Sequence, residues 1–411
     1  MHQFIGVFGL LVMLGLAWLM SSHKRKVNVR IVVGGLLLQF LFAAIILRTR
    51  PGEYLFNEID QLFVGLLNCV SAGSKFMFGP TFHEHFFAFQ VLPTIIFFSA
   101  FMSIFYYYGV MQRVVGLFAR IMQRTLGTSG AETLSTAANV FVGQTEAPLV
   151  IRPYINSMTV SELNAVMVGG FATMAGGVLA ALVEMGISAK HLLGASVIAA
   201  PAALLIAKIL QPETGEPDTL GDVKIEVEND YANVLEAIAV GTVGGLKLAL
   251  NVGAMLIVFL ALIAVVNGIL GWVGGQFGFV SAEGQPQWSL EAILGFAFAP
   301  LAWVIGIEWK DCPRAGELMG LKMAANEFIA YGRLAEWAGP DSHVHLSERS
   351  QTILTYALCG FANFSSIGIQ LGGIGGIAPK RRGDLAKLGL RAMLGGTLAA
   401  FMTACVASIL L

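Results

Sequence analysis

The groups best equipped for chemistry in this sequence are Gln144-Thr145-Glu146 and Asn326-Glu327, because each stands in a stretch that is otherwise apolar. Asn139, Asn363, Ser365 and Ser366 lie in similar surroundings. A carboxylate at the centre of a membrane helix costs about 2.5–3.5 kcal/mol, so two of them require partners or a wet cavity. Glu146 has no cation near it in sequence. Glu327 follows Lys322 by five residues, a spacing that pairs poorly on a helix. Apart from Lys322, no Arg or Lys sits within these segments, so a phosphate or carboxylate ligand lacks its usual clamp. What remains suits a neutral solute rich in hydrogen-bonding groups. An amide such as Gln144 both donates and accepts, as a nucleobase edge requires, and a carboxylate such as Glu327 can accept from two adjacent hydroxyls, as a ribose presents. Asn139 and Thr173, with carbonyls freed at a helix break, would make an all-oxygen site for Na⁺.

Simpler readings stand beside these. Ser365, Ser366 and Thr173 can bond backbone carbonyls one turn back. Gly176-Gly177 and Gly372-Gly373 suit close helix packing. The histidine pairs of His83-Glu84-His85 and His343-Val344-His345 fall in polar connections and read as solvated. The zinc-protease pattern H-E-x-x-H is absent, as is any aspartate-rich metal cluster, which leaves no motif for a membrane-embedded enzyme. A passive pore lined by the same polar groups is a further alternative.

The elements that must position these residues are membrane helices. Of 411 residues 56% are hydrophobic and only 12% charged, and mean hydropathy is +0.73. A soluble domain carries about 25% charged residues. A net charge of −1 offers nothing to nucleic acid, and the four cysteines are scattered singly, without a metal or disulfide framework. The run Phe4–Met20 precedes the basic cluster His23-Lys24-Arg25-Lys26, the reverse of a signal peptide, so it reads as an uncleaved span. The positive-inside rule then puts residues 22–30 in the cytoplasm and the N-terminus outside.

Further spans are expected at Ile31–Leu47, Val91–Val110, Asn164–Met185, His191–Leu210, Leu246–Val273, Ile353–Gly376 and Leu385–Leu411, the last ending outside, while Leu290–Ile307 is an apolar stretch interrupted by Pro300. Residues 55–78 read as an interfacial amphipathic helix, or as a loop if their period is accidental. The apolar positions between Arg113, Arg120 and Arg124 suggest a helix lying at the surface. Residues 131–156 suit two half-helices meeting at a polar tip, with Pro148 in the first turn of the second half. Residues 211–231 are polar and acidic, a linker between halves. Ala137-Ala138-Asn139-Val140-Phe141 recurs as Ala324-Ala325-Asn326-Glu327-Phe328, and Gly170-Phe171-Ala172-Thr173 as Gly360-Phe361-Ala362-Asn363. The charge rule gives the two units opposite orientations, which makes an inverted repeat.

At Asn139-Val140-Phe141-Val142-Gly143-Gln144-Thr145-Glu146-Ala147-Pro148, Ala325-Asn326-Glu327-Phe328 and Gly360-Phe361-Ala362-Asn363-Phe364-Ser365-Ser366 the chain resembles the concentrative nucleoside transporter family. The resemblance implies an all-α membrane protein of about eight spans with two re-entrant hairpins and interfacial helices, working as a homotrimer by an elevator-like mechanism. It divides the chain into scaffold 1–90, a first repeat 91–210 with hairpin 131–156, a linker 211–237, and a second repeat 238–411 with hairpin about 310–335. Gln144, Thr145 and Val178 would face the base, with Glu146 near it through water. Glu327, Asn363 and Ser366 would hold the ribose beside Phe361. Asn139, Val142, Thr173 and Met174 would bind Na⁺, the second and fourth through backbone carbonyls. Relatives with Ser at the position of Thr173 keep the hydroxyl. Proton-coupled members differ around the hairpin tip, whereas the unaltered Gln-Thr-Glu-Ala-Pro here resembles the sodium-coupled group. The implied setting is a bacterial inner membrane with both termini periplasmic and no organic cofactor. Purine against pyrimidine preference stays open.

Overall fold

The computed structural model describes residues 2–220, 231–277, 288–339 and 342–411. Within them all regular structure is helical. Helices α1 (His2–Leu19) and α2 (Val29–Arg48) are apolar, and Asn28 opens the second by accepting the Arg30 N–H. Helix α3 (Arg50–Phe78) is amphipathic: Gly52, Phe56, Leu67, Val70 and Ser74 make one buried face, which decides residues 55–78 as a helix. Helix α4 (Leu92–Tyr107) extends a short π-helical turn, Phe87–Val91. In α5 (Val110–Leu126), Met111, Val115, Ala119 and Met122 face inward while Arg113, Arg120 and Arg124 face out with Leu117 and Ile121, so the segment is an amphipathic helix.

The first polar-tipped segment starts with α6 (Gly130–Ala138), whose Ser129–Glu132 capping box satisfies its first N–H groups. The chain unwinds over 139–146 and resumes as a 3₁₀ helix, Ala147–Ile151, with Pro148 in its first turn. The second half is therefore tighter and shorter than the half-helix expected. Next come α7 (Val160–Ala172) and α8 (Gly176–Glu184), then α9 (Ala189–Leu210). The second half holds α10 (Val234–Gln276), α11 (Leu290–Val304), α12 (Cys312–Ala324), α13 (Glu327–Ala338), α14 (Glu348–Ala357), α15 (Phe364–Ile377) and α16 (Arg382–Leu410). Residues 221–230 of the expected linker lie outside the described residues.

Three expectations need correction. Asn164–Met185 is two helices, unwound at 173–175, and Ile353–Gly376 is two, unwound at 358–363. Both stretches are apolar enough to hide the breaks, whose signal is local: Thr173 turns its hydroxyl onto Gly169 O, and Gly360 takes φ +95°, open to glycine alone at little cost. The third correction is to α10, which begins at Val234 instead of Leu246.

Among the described residues six helical stretches are long and apolar enough to cross a membrane: Val29–Arg48, Phe87–Tyr107, Val160–Glu184, Ala189–Leu210, Val234–Gln276 and Pro379–Leu410. Phe4–Leu19, Leu290–Val304 and Phe364–Ile377 are shorter apolar helices. Helices α7, α9 and α16 pack on one another at the centre. Of the most apolar window in α9, 94% is buried, against 6% in α10. Helix α10 meets α4 along Ala237, Gly241, Gly245 and Ala249, every fourth residue. A Cβ on Gly245 would lie 2.8 Å from the Ile96 Cα, so small residues are what let the two backbones approach.

Two arginines mark the ends at which α7 and α14 enter the bundle. Arg381, at the start of α16, donates to the carbonyls of Ile155, Asn156 and Met158 just ahead of α7. Arg349, in the first turn of α14, donates instead to Ser408 at the far end of α16. Helices α7 and α14 thus enter from opposite ends. Ser22 N–H bonds Leu210 O and Arg30 bonds the Arg124 and Thr125 carbonyls, so these basic residues gather at one end of the bundle.

Candidate functional site

The tip of the first polar segment lies against the α7–α8 break. Phe141 O accepts the Gly176 N–H at 3.1 Å, and a Cβ on Gly143 would sit 3.5 Å from that of Ala175. Asn139 is fully buried here; its Nδ2 donates to Ser135 O at 3.1 Å, and its Oδ1 has no partner. Buried amide oxygens are seldom left so. Thr173 Oγ1 donates to Gly169 O at 2.9 Å, as the simpler reading expects, and keeps its lone pairs for another ligand. Val142 and Met174 lie in the two unwound stretches, and among the described residues their carbonyls accept no backbone bond. The unpartnered Asn139 oxygen, the lone pairs of the Thr173 hydroxyl and two carbonyls free of backbone bonds, drawn from one tip and one break, are a donor set that fits a hard monovalent cation.

The second polar segment is built differently. Asn326 caps α13 by accepting the Ile329 N–H at 3.0 Å, which leaves Glu327 as the first helical residue. The free N–H groups and dipole of a helix start favour a carboxylate at that place. Glu327 Oε2 accepts from Asn363 Nδ2 at 3.0 Å. Asn363 in turn caps α15, its Oδ1 taking the Ser366 N–H at 2.9 Å and the Ser365 hydroxyl at 2.7 Å. Ser365 therefore bonds two residues back, to the cap side chain, and not to a backbone carbonyl one turn back. Lys322 is buried, and its Nζ donates to Ala357 O at 3.2 Å and Cys359 O at 2.8 Å. Among the described residues it forms no ion pair with Glu327, in keeping with the five-residue spacing.

Helix α15 joins the two segments. Its buried face carries Ser366, Gln370 and Ile374 in line with the cap Asn363. Gln370 Nε2 donates to Gln144 Oε1 and to Met167 O, both at 3.0 Å. A Cβ on Gly373 would come within 2.6 Å of Thr145 Cγ2, so the first tip presses directly on this helix. Gly372, by contrast, has open space around it. Thus α15 meets Glu327 at its N-terminus and Gln144 with Thr145 further along. Val178 on α8 and Phe361 in the second break are both buried. Glu146 stays apart: it is exposed, and its carboxylate accepts the Gly143 N–H at 3.3 Å without reaching the Glu327–Asn363 pair. Gln370 escaped the sequence reading. Its signal was an amide four residues after Ser366 in a Gly-rich apolar run, easily passed over as packing.

Three family profiles match the chain. They are "Na+ dependent nucleoside transporter N-terminus" at residues 8–81, "Nucleoside recognition" at 88–189 and "Na+ dependent nucleoside transporter C-terminus" at 191–408. An "Uncharacterized transporter" of Haemophilus influenzae is 45% identical over 98% of this chain and 96% of its own length. "Solute carrier family 28 member 3" of Eptatretus stoutii is 45% identical over 100% of this chain, which spans 61% of that longer protein. "Sodium/nucleoside cotransporter 1" of Rattus norvegicus is 43% identical, with 64% of its length covered. Among solved structures, CNTnw in an inward-facing substrate-bound state superposes with a TM-score of 0.93 at 43% identity, covering 100% of this chain and 98% of that one. A doubly substituted form of the same protein in an outward-facing state gives a TM-score of 0.92 at 42% identity, over 100% and 98% of the two chains.

Proposed function

Because the chain belongs to the concentrative, Na⁺-dependent nucleoside transporter family, whose members are transporters and not enzymes, we propose that it imports nucleosides by Na⁺ symport. The observation that carries this reading is the continuous polar stripe of α15. It ties the Glu327–Asn363 bond at one end to the Gln370–Gln144 bond at the other, inside an otherwise apolar bundle. On this reading Gln144 and Thr145, with Val178, face the base, and Glu146 acts through water from the exposed side of the tip. Glu327, Asn363 and Ser366 hold the ribose beside Phe361. Asn139 Oδ1, Thr173 Oγ1 and the Val142 and Met174 carbonyls would hold Na⁺. The ion would close the first tip onto the α7–α8 break and so set Gln144 for the solute.

Residues 91–210 and 238–411 act as two inverted repeats beside the scaffold 1–90, with 211–237 as the linker between them. The broken helices and polar tips travel as one body in an elevator motion against the α4–α10 seam. Three subunits associate and cover part of the apolar surface that α10 leaves exposed. The basic end of the bundle faces the cytoplasm of a bacterial inner membrane, and both termini lie in the periplasm. The test is uptake of labelled uridine and adenosine into proteoliposomes. An imposed inward Na⁺ gradient should drive accumulation above the outside concentration, whereas equal concentrations regardless of gradient would indicate a pore. A proton gradient that substitutes fully for Na⁺ would overturn the ion assignment.

A further inference from the structure

The two broken segments share a register that shows where a cation belongs. Asn139 and Asn326 follow the same Ala-Ala pair, and four residues ahead of each stand Ser135 and Lys322. Helix α7 ends at Ala172 and α14 at Ala357, so Met174 and Cys359 are each the second residue past a helix end. Met174 supplies one of the carbonyls proposed for Na⁺. Its counterpart, Cys359 O, accepts from Lys322 Nζ at 2.8 Å, and Ala357 O accepts from the same ammonium at 3.2 Å. In the first half the residue four before the asparagine is Ser135, whose buried hydroxyl has no partner.

We infer that Lys322 is a tethered cation, a fixed ammonium that fills in the second half the role the mobile Na⁺ fills in the first. The inference rests on the symport reading for its comparison, but its chemistry is local. Carbonyls freed at the C-terminal end of a helix carry partial negative charge and need a positive partner. An ammonium and a sodium ion are both monovalent and both satisfied by oxygen. Lys322 is buried, has no carboxylate within ion-pair distance among the described residues, and precedes Glu327 by five residues in the same polar segment. Its side chain thus closes the second break permanently and offsets the charge of the carboxylate assigned to the ribose. A second coupling ion has no place there.

The experiment is nucleoside binding to purified, detergent-solubilised protein across a sodium titration, with choline as the replacement cation. Wild type should follow a curve with a Hill coefficient of about 1, and Lys322→Ser, which copies Ser135, should steepen towards about 2 as the vacated carbonyls take up a second ion. Half-saturation in that variant should move about tenfold to higher sodium. Lys322→Arg keeps a fixed cation and should keep the shallow curve. An unchanged curve and affinity in Lys322→Ser would overturn the inference. So would loss of binding by Lys322→Arg in protein that elutes as wild type. If Lys322→Ser yields no folded protein, the arginine variant decides alone: retained binding with a shallow curve upholds the tethered cation, and lost binding removes it. Wild-type binding that ignores sodium would defeat the symport reading separately. Sodium dependence newly acquired by Lys322→Ser would then still uphold the inference, and its absence would overturn it.

Discussion

The break between α7 and α8 and the break between α14 and α15 are the same device built to opposite ends. The first is short, residues 173–175, and the tip against it carries Asn139, whose Oδ1 has no partner. The second is longer, residues 358–363, and its groups are already engaged: Lys322 on the freed carbonyls, Asn363 on Glu327, and two asparagine caps on α13 and α15. A site whose oxygens are uncommitted is incomplete until something binds. A site whose groups hold one another is preorganised, and its binding loses less to ordering. On the proposed function the first half would wait for the coupling ion and the second would hold the solute, the division a symporter needs.

The sharpest way to break that assignment is at Glu327. Glu327→Gln keeps the shape and the Asn363 neighbour but removes the charge, and truncating a buried charged hydrogen bond costs about 2–5 kcal/mol. Uptake should fall by about 30-fold or more while the protein still inserts and elutes normally. Normal uptake would take the holding role away from the second half. Next in size is the place where the two breaks touch. A Cβ on Gly360 would lie 2.5 Å from Phe171 O, at φ +95°. Gly360→Ala should therefore lower stability by about 2–3 kcal/mol, read as a drop in thermal unfolding temperature. An unmoved midpoint would show that the breaks do not bear on one another. Smaller again is Asn139→Ala, which removes the unpartnered oxygen of the first half. It should raise the sodium needed for half-maximal uptake by about tenfold, equal to about 1.4 kcal/mol, with little change in nucleoside affinity at saturating sodium. A sodium curve that does not move would contradict the waiting role.

Much of this contrast was open to reading in the residues themselves. A Gln-Thr-Glu run and an Asn-Glu pair are too costly in lipid to be idle, so their segments declared themselves, as did the amphipathic period of residues 110–126. The two breaks did not. Hydropathy sums over a window, and Gly360-Phe361-Ala362 is as apolar unwound as helical. The internal match itself misled on register. Gly170-Phe171-Ala172 lies within α7, while Gly360-Phe361-Ala362 is unwound, so the strings correspond in sequence but differ in conformation. What aligns the halves is the helix ends, and those depend on tertiary contacts. The partners of Lys322 were hidden for the same reason. Its acceptors lie 35 and 37 residues away and are backbone carbonyls, which carry no residue code.

Gln370 offers the finest test, because it belongs to one half and acts on the other. Its Nε2 is shared between Gln144 Oε1 and Met167 O, and its own Oε1 is buried without a partner. The bond to Gln144 fixes which way that amide points, and on the proposed reading this would set which edge of a base it meets. Gln370→Leu removes the clamp and also the unsatisfied oxygen, so its effect on folding stability should be slight. A neutral hydrogen bond is worth about 1 kcal/mol net, so the KM for nucleoside should rise by about fivefold. The ratio between a purine and a pyrimidine nucleoside should shift as Gln144 turns freely, and the sodium curve should stay in place. Gln370→Glu, which can accept but not donate when ionised, should not restore the ratio. A variant that unfolds early yet keeps wild-type KM and selectivity would mark Gln370 as packing alone, and the first half would then set its own base-reading geometry without help from α15.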